Sequence, residues 1–254
     1  MVLSMQKWIG KIAVVTGASV GIGVAIAEKL VDNGMVVVGI ARRLHLMEKH
    51  RERWKDKPGK FHPIKCDIRQ ESEISSAFEW IRINLGIVTV LINNAGIVGK
   101  TNLMNGDALI WKDIFDTNVL GLCIATKEAI KQMLIHEVNG HIIHINSIAG
   151  YMIPFHPQSN VYPASKHAVT ALVETLRREL NEAKSKIKIS DISPGLVKSE
   201  IANVLDKNSF LAGAIGNPNN LMPDDIADAV EYILSTPPHV QIHELVIKPV
   251  NEHW

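Results

Sequence analysis

The sequence has few cysteines, no excess of charge and no long apolar run. Cys66 and Cys123 are its only cysteines, which indicates a reducing compartment; we interpret both as small buried residues, with a reactive role as the alternative. The 27 basic and 26 acidic residues give a net charge of +1 and form no like-charged block, so a nucleic-acid surface is not indicated. Without a signal-peptide pattern or a run of about 18 apolar residues, the chain is expected to be soluble and cytoplasmic, with no membrane span.

The apolar residues that are present are grouped in short, β-branched runs. These runs lie at 11–15, 35–40, 61–65, 88–92, 141–145, 187–192 and 244–248, and longer segments with helical spacing separate them. Buried strands that alternate with amphipathic helices predict a parallel sheet covered on both faces. We therefore expect 1–254 to form a single doubly wound, Rossmann-type α/β domain of about seven strands.

One segment, at about 199–222, has no regular pattern. Its apolar residues alternate with Asn, Gly and Pro, and it follows the carboxyl end of a predicted strand. Such a segment is placed to cover a ligand crevice, so we predict a substrate lid. An ordinary surface excursion is the alternative.

The turn after the first predicted strand is rich in glycine. Gly17, Gly21 and Gly23 precede an amphipathic helix, where glycine lets the backbone approach a pyrophosphate at the helix N-terminus. A purely structural turn is the alternative. The spacing lacks the Gly-Lys-Ser/Thr ending of a P-loop, which favours a dinucleotide over a nucleoside triphosphate.

Two arginines follow the second predicted strand. Dinucleotide-binding proteins that use NAD place a carboxylate there, whereas Arg42 and Arg43 supply cations that match the 2′-phosphate of NADP. NADP(H) is therefore the predicted cofactor. Two solvated arginines at a helix start are the alternative.

Polar and small residues also follow the third and fourth predicted strands. Asp67 is placed to accept from an adenine amino group, or it is only a cap or turn residue. Asn94 carries an amide, and Ala95 and Gly96 leave room for a flat cofactor, although a plain turn would use the same residues.

Tyr162 lies four residues before Lys166 at a predicted helix start. A phenol has a pKa near 10, and lowering it to about 7 requires roughly 4 kcal/mol of preferential stabilisation of the phenolate. Lys166, one turn away, can supply part of this, and an oxidised nicotinamide ring can supply more. A phenol tuned in this way can exchange a proton with the oxygen of a carbonyl or alcohol substrate. Ser147 follows the fifth predicted strand, so its hydroxyl and that of Tyr162 should converge on that oxygen. Packing of an aromatic ring on a lysine stem is the alternative.

Several motifs in order resemble those of the short-chain dehydrogenase/reductase family. They are "TGASVGIG", "NNAG", Asn118, "NS" at 146–147, "YPASK" and "SPG" at 193–195, and the resemblance extends from Lys11 to about Pro249. It implies Tyr162 as the catalytic acid/base, with Lys166 as its pKa partner and ribose ligand. It also implies Ser147 as a donor to the substrate oxygen and Asn118 as the holder of a proton-relay water.

The resemblance extends to further cofactor contacts. It implies that the cofactor touches Ser19, Ile22, Ile68, Tyr162, Lys166, Pro194, Gly195, Val197 and Ser199. Two departures are present. Ser147 and Tyr162 are 15 residues apart, slightly more than usual, and Ser199 stands where threonine is more common.

Other stretches resemble a branch of the family that includes the farnesol dehydrogenases of insects. They are "WIGKIAVVTGAS", "VYPASKHAVTAL" and "STPPHVQIHELVIKPV". This likeness implies a small apolar alcohol or carbonyl substrate, such as an isoprenoid alcohol or a steroid, and a homodimer or homotetramer. Nine apolar side chains either line an apolar substrate pocket or only pack within the protein. They are Met152, Ile153, Phe155, Leu196, Ile201, Val204, Leu205, Phe210 and Leu211.

The sequence favours three further interpretations less. A non-catalytic NADP-binding sensor or scaffold is weakened because Tyr162, Lys166, Ser147 and Asn118 are all present, and an epimerase or dehydratase is weakened by the short chain. "HEVNGH" at 136–141 superficially resembles a zinc-binding helix, but the histidine spacing is wrong, so no metal is expected.

Overall fold

A computed structural model of the chain describes residues 3–153, 161–201 and 217–251. Its strands form one seven-stranded parallel sheet in the order β3-β2-β1-β4-β5-β6-β7. The strands are β1 (Ile12–Thr16), β2 (Val36–Ala41), β3 (Lys60–Lys65), β4 (Val88–Asn93), β5 (His141–Ile145), β6 (Lys188–Pro194) and β7 (Glu244–Ile247). The predicted fold class is confirmed.

Helices connect the strands and cover both faces of the sheet. They are α1 (Ile22–Asp32), α2 (Leu44–Arg53), α3 (Glu71–Asn84), α4 (Ala108–Phe115), α5 (Gly121–Ile135), α6 (Val161–Glu182) and α7 (Pro223–Ser235). A π-helical turn, Asp116–Leu120, joins α4 to α5. No helix within the described ranges is long and apolar enough to cross a bilayer.

The central strands are apolar on both sides because helices bury both sides. Every residue of β1 and β4 is buried. Val15 and Val37 face a core shared with α1 and α7, whereas Val14 and Val38 face a second core shared with α3, α5 and α6. The near-continuous β-branched runs thus follow from double-sided burial rather than from the alternation typical of one-sided sheets.

The order of the strands creates a crevice beside β1. The chain moves from β1 to β2 and β3 on one side, then crosses to β4 on the other side of β1. Connections therefore diverge between the carboxyl ends of β1 and β4, which is where open α/β sheets bind ligands.

The chain segments at the two ends of the predicted lid pair with each other. Val197 and Leu221 form a backbone bridge, the Lys198 N–H donates to the Leu221 carbonyl at 2.8 Å, and the Leu221 N–H donates to the Leu196 carbonyl at 3.0 Å. Residues 202–216 lie outside the described part of the chain, so the lid stays a prediction.

Candidate active site

A cavity of about 450 Å³ opens at the carboxyl ends of β1, β2 and β4. Twelve of the predicted cofactor residues line it: Gly17, Ser19, Gly21, Ile22, Arg42, Arg43, Asp67, Ile68, Asn94, Ala95, Gly96 and Ser199. Nine residues that were not predicted to bind the cofactor complete the lining: Val20, Ile40, Ala41, Cys66, Ile97, Val98, Thr117, Glu200 and Ile201. Burial raises the pKa of the Cys66 thiol to about 12, which agrees with an inert, buried role.

The glycine-rich turn is packed too tightly for side chains at two positions. Gly17 has a positive φ of 70°, and a Cβ there would lie 2.9 Å from the Ala95 Cα. Gly23 does not line the cavity; a Cβ at this position would meet the Gly17 carbonyl oxygen and the Asn94 amide. Gly23 therefore lets α1 approach the turn, while Gly17 shapes the cavity itself.

Thr16, at the end of β1, holds the two loops of the crevice together. Its hydroxyl oxygen accepts from the backbone N–H groups of Asn94 and Ala95, each at 3.0 Å. The Asn94 amide donates back to the Thr16 carbonyl at 2.9 Å. Asn94 is thus a structural clamp as well as a lining residue, and the part played by Thr16 has no signal in the sequence beyond its place after an apolar run.

The two arginines after β2 both line the cavity and are both exposed, but their contacts differ. The Arg43 Nη2 donates to the Ser19 hydroxyl at 3.3 Å, and its Nη1 lies 3.0 Å from a Glu200 carboxylate oxygen. Arg43 therefore spans from the glycine-rich turn to the segment after β6.

Asp67 forms the turn that one of its two interpretations predicted, and it also lies in the cavity wall; its contact with adenine stays a prediction. Its carboxylate accepts from the Arg69 N–H at 3.1 Å, which makes a turn, and from the Arg69 Nη2 at 2.7 Å. These bonds, with that side-chain pair as the main cause, hold the pKa of Asp67 below its usual value. The ionised carboxylate also lines the cavity, where it remains an acceptor.

The Ser199 hydroxyl is buried and has no hydrogen-bond partner within the described structure. A buried hydroxyl without a partner is costly, and this one lies in the cavity wall, where a Cβ on Gly21 would be 3.4 Å from the Ser199 Cβ. A polar group of a bound ligand would satisfy it. The glycine-rich turn and this hydroxyl together fit a dinucleotide.

Pro194, Gly195 and Val197 were also expected to touch the cofactor, but they do not line this cavity. Pro194 ends β6, and the Gly195 N–H donates to the Ile247 carbonyl at 2.7 Å. These residues hold the chain that leads to Ser199.

Lys166 lies on the first turns of α6 with Tyr162 one turn before it. The Lys166 ammonium is 5.8 Å from the centre of the Tyr162 ring and donates to the Ile145 carbonyl at the end of β5, at 3.0 Å. Burial lowers the pKa of Lys166 to about 8, and the charge of Asp191 opposes this. A Cβ on Gly96 would be 4.0 Å from this ammonium, so α6 and the β4 loop meet here.

The pKa of Tyr162 differs from the expectation. Burial raises the pKa of the phenol, and a side-chain hydrogen bond with Ser147 opposes that change. The expected lowering by Lys166 is therefore not provided by the protein groups alone, since the ammonium donates to the Ile145 carbonyl and, within the described structure, lies 5.8 Å from the ring centre without a hydrogen bond to the phenol. The hydrogen bond between Tyr162 and Ser147 brings the two hydroxyls together, and their convergence on a substrate oxygen stays a prediction.

Ser147 follows β5 and precedes a short 3₁₀ turn, Ile148–Gly150. Its hydroxyl oxygen accepts from the Ala149 N–H at 3.1 Å. That bond caps the turn and leaves the hydroxyl proton available to a further acceptor.

Asn118 lies in the π-helical turn, a type of local widening that is common at functional sites. Its side-chain oxygen accepts from the Ile97 N–H at 2.8 Å, and its amide donates to the Ile97 carbonyl at 2.9 Å and to the Ser165 hydroxyl at 3.0 Å. The side chain thus joins the β4 loop to α6, and both amide protons are in use. Its role in holding a water stays a prediction.

A buried carboxylate behind Ser147 was missed by the sequence analysis. One oxygen of Asp191, on β6, accepts from the Tyr151 hydroxyl at 2.9 Å, the Ser193 hydroxyl at 3.1 Å and the Asn146 amide at 3.2 Å, while the other oxygen has no partner within the described residues. Asn146 also donates to Thr170 of α6 at 3.0 Å. An aspartate between two isoleucines of a predicted strand was the available signal.

The comparisons with known proteins agree with this geometry. Residues 11–209 match the family model described as short chain dehydrogenase. The chain belongs to the short-chain dehydrogenase family. The resemblance seen in the motifs is thereby confirmed.

Curated members of the short-chain dehydrogenase family are similar over nearly the whole chain. Farnesol dehydrogenase of Aedes aegypti is 47% identical over 98% of this chain and 100% of its own length. Dehydrogenase/reductase SDR family member 11 of Bos taurus is 43% identical over 98% of this chain and 99% of its own. These likenesses support an oxidoreductase.

Solved structures of the family have the same fold and hold either dinucleotide. Serine dehydrogenase complexed with NADP+ is 28% identical with a TM-score of 0.85, covering 96% of each chain. A short-chain dehydrogenase/reductase from Burkholderia phymatum in complex with NAD is 25% identical with a TM-score of 0.83, covering 94% of this chain and 89% of the other. The likeness thus supports NAD(P) binding without deciding between the two cofactors.

The predicted apolar substrate pocket is described only in part. Ile201 lines the cavity, whereas Ile153 is exposed. Phe155, Val204, Leu205, Phe210 and Leu211 lie outside the described residues.

The two histidines of "HEVNGH" lie in different environments. His136 is exposed at the end of α5, whereas His141 is buried in β5 beside Ser190.

Proposed function

We propose that this protein is an NADP(H)-dependent oxidoreductase that moves a hydride between nicotinamide and an apolar alcohol or carbonyl compound. The main support is that Tyr162, Ser147 and Lys166 meet where α6 packs beside the carboxyl end of β5, next to the cavity with the glycine-rich turn. This is the arrangement required for proton exchange beside a nicotinamide.

The choice of NADP(H) rests on the charge at the adenosine end of the cavity. Arg42 and Arg43 line it, and the nearby Asp67 carboxylate is engaged by Arg69. A guanidinium is a good partner for a 2′-phosphate, and no unengaged carboxylate stands directly after β2 to repel one. The serine dehydrogenase structure with NADP+ is consistent with this choice.

The residues of the chain divide the chemistry between them. Tyr162 gives its proton to the carbonyl oxygen during reduction and takes a proton from the hydroxyl during oxidation. Ser147 donates a hydrogen bond to the same oxygen, and Lys166 adds a positive charge 5.8 Å from the centre of the Tyr162 ring. The bound cofactor supplies the hydride and, when oxidised, a positive ring that favours the phenolate.

The positive ring matters because the protein alone raises the pKa of Tyr162. Tyr162 can therefore act as a base near neutral pH only when the positive charges of the cofactor and of Lys166 lower its pKa by more than burial raises it. Tyr162 is thus expected to be a competent base only in the complex with the oxidised cofactor, which links proton transfer to cofactor binding.

An isoprenoid alcohol such as farnesol is the proposed substrate class, with a steroid or other ketone as the second choice. The proposal is supported by the 47% identity to a farnesol dehydrogenase and by the apolar side chains of Ile97, Val98 and Ile201 in the cavity wall. Such a wall favours substrates without charge.

The test is NADPH oxidation and NADP+ reduction with a panel of farnesol, farnesal, retinol and steroids, each repeated with NAD(H). Tyr162→Phe should lower turnover by about 10²- to 10⁴-fold, because it removes only the acid/base hydroxyl, and should leave cofactor affinity within about twofold. Full turnover in this variant would contradict the mechanism. Tight NADPH binding with no turnover on any substrate would favour a sensor or scaffold instead.

A further inference from the structure

Arg43, the arginine that is best placed to bind a 2′-phosphate, already forms an ion pair with a carboxylate of the chain. Glu200 lies 3.0 Å from the Arg43 Nη1, and the Arg43 Nη2 donates to the Ser19 hydroxyl. Arg43, Ser19 and Glu200 all line the cavity. The anion beside this guanidinium is thus supplied by the chain itself.

Asp67 and Arg42 are the other charged side chains at this end of the cavity. The Asp67 carboxylate is held by Arg69, which also pairs with Asp113 at 2.7 Å. Within the described ranges no ion pair of Arg42 is found, and Arg42 is exposed. Of the two cations available to a phosphate, one is therefore already paired with a carboxylate.

We propose that Glu200 limits the preference for NADP(H) over NAD(H), because its carboxylate competes with the 2′-phosphate for the Arg43 guanidinium. This inference rests on the proposed function. A carboxylate and a phosphate both bind a guanidinium through its N–H fork, and only one anion can occupy the Nη1 side at a time. NAD(H), whose ribose hydroxyl has no charge, does not need Glu200 to leave.

The effect is modest but measurable. The Arg43 and Glu200 side chains are 45% and 55% exposed, and exposed ion pairs contribute little free energy. Removing the competitor should therefore tighten NADPH binding by about three- to fivefold. Salt should reduce this difference, since it screens exposed charges.

The experiment measures dissociation constants of wild-type protein and Glu200→Gln for NADPH and NADH by fluorescence titration. Displacement with 2′,5′-ADP and with 5′-AMP separates the 2′-phosphate from the rest of the cofactor. Glu200→Gln keeps the size of the side chain and removes its charge. We expect tighter binding of NADPH and 2′,5′-ADP, with NADH and 5′-AMP unchanged.

Two controls separate competition from a general charge effect. Glu182→Gln removes an exposed carboxylate that does not line the cavity, and should change neither cofactor. In an Arg43→Gln background, Glu200→Gln should lose its effect, because the group for which the two anions compete is gone.

The inference is overturned if Glu200→Gln leaves NADPH affinity unchanged, weakens it, or tightens NADPH and NADH equally. A weaker complex would mean that Glu200 holds Arg43 in place for the phosphate. The proposed function fails separately: wild-type protein that binds neither dinucleotide overturns both proposals, whereas wild-type protein that prefers NADPH with no change in Glu200→Gln overturns only this one.

Discussion

At the residue scale, Lys166 is a buried cation at the centre of the site. Its ammonium contacts the Ile145 carbonyl, and burial lowers its pKa from 10.5 to about 8. The charge is therefore present below about pH 8 and is lost as the pH rises through that value. Neither His144 nor Cys66 titrates in this window, since the pKa of the buried His144 is lowered to about 3 and that of Cys66 is raised to about 12.

We expect the kcat/KM for NADPH to fall as the pH rises above about 8, because this ratio reports ionisations of the free enzyme and Lys166 loses its charge there. Initial rates between pH 6 and pH 10 measure it. Lys166→Arg is the matched variant, because a guanidinium stays charged in this range. Its activity should be lower but without the fall near pH 8; an unchanged fall would assign the transition to another group.

Burial favours the neutral form of both Tyr162 and Lys166, so it shifts their pKa values in opposite directions. For Lys166 burial favours the neutral amine, and for Tyr162 it favours the neutral phenol. Both shifts oppose the charged pair that the chemistry requires. The site is thus expected to depend on cofactor charge, which a sequence motif alone does not reveal.

At the element scale, β6 carries a charge into the core. Asp191 is buried and accepts three hydrogen bonds on one oxygen, but the other oxygen has no partner within the described part of the chain. Burial is the largest cause that raises the pKa of Asp191 above 3.8. The folded protein thus holds a proton here more tightly than the unfolded chain does, so stability falls as the pH rises from about 4 through the folded-state pKa.

We expect Asp191→Asn to raise the free energy of unfolding by about 1 kcal/mol at pH 7, because the amide keeps an oxygen acceptor and removes a buried charge. The gain should shrink at pH 4, where the carboxylate is more protonated. Urea unfolding at both pH values measures it. Tyr151→Phe is the control: it removes one donor and leaves the charge, so it should destabilise, and a loss of stability in Asp191→Asn at pH 7 would contradict the argument.

The elements themselves were largely predictable, and their irregularities were not. Every predicted strand is present within two residues of its predicted bounds, because double-sided burial leaves a β-branched run in the sequence. The π-helical turn that carries Asn118 has no comparable signal in the sequence. One extra residue in a helical turn changes the spacing of the apolar residues too little to be recognised. Thr16 is a typical strand residue, so its role as a clamp was also hidden.

At the scale of the whole molecule, the sequence predicted which loops meet but not which side chains pair. The carboxyl ends of parallel strands share one edge, so the glycine-rich turn, the arginines and the Asn94 loop were correctly brought to one cavity. The Arg43–Glu200 pair joins residues 157 positions apart, and such a contact depends on the exact path after β6. The Asp191 cluster likewise depends on how β6 packs against α6.

The surface of α4 and the π-helical turn exposes apolar side chains that bear on assembly. Leu109 is 71% exposed and Leu120 is 52% exposed, and Phe115 lies partly exposed between them. The π-helical turn directly follows α4, and exposed apolar side chains on adjoining elements are a feature of interfaces. A homodimer or homotetramer, which the family resemblance implied, is therefore expected to use this surface.

We expect sedimentation velocity of the wild-type protein to show a dimer or tetramer at micromolar concentration. Leu109→Asp combined with Leu120→Asp should shift it toward monomer, because two charges on the surface would have to be buried in the interface without partners. Ile83→Asp on α3 is the control, since Ile83 is 65% exposed on a different helix and its change should leave assembly intact. A wild-type monomer, or equal dissociation by Ile83→Asp, would remove α4 and the π-helical turn as the interface.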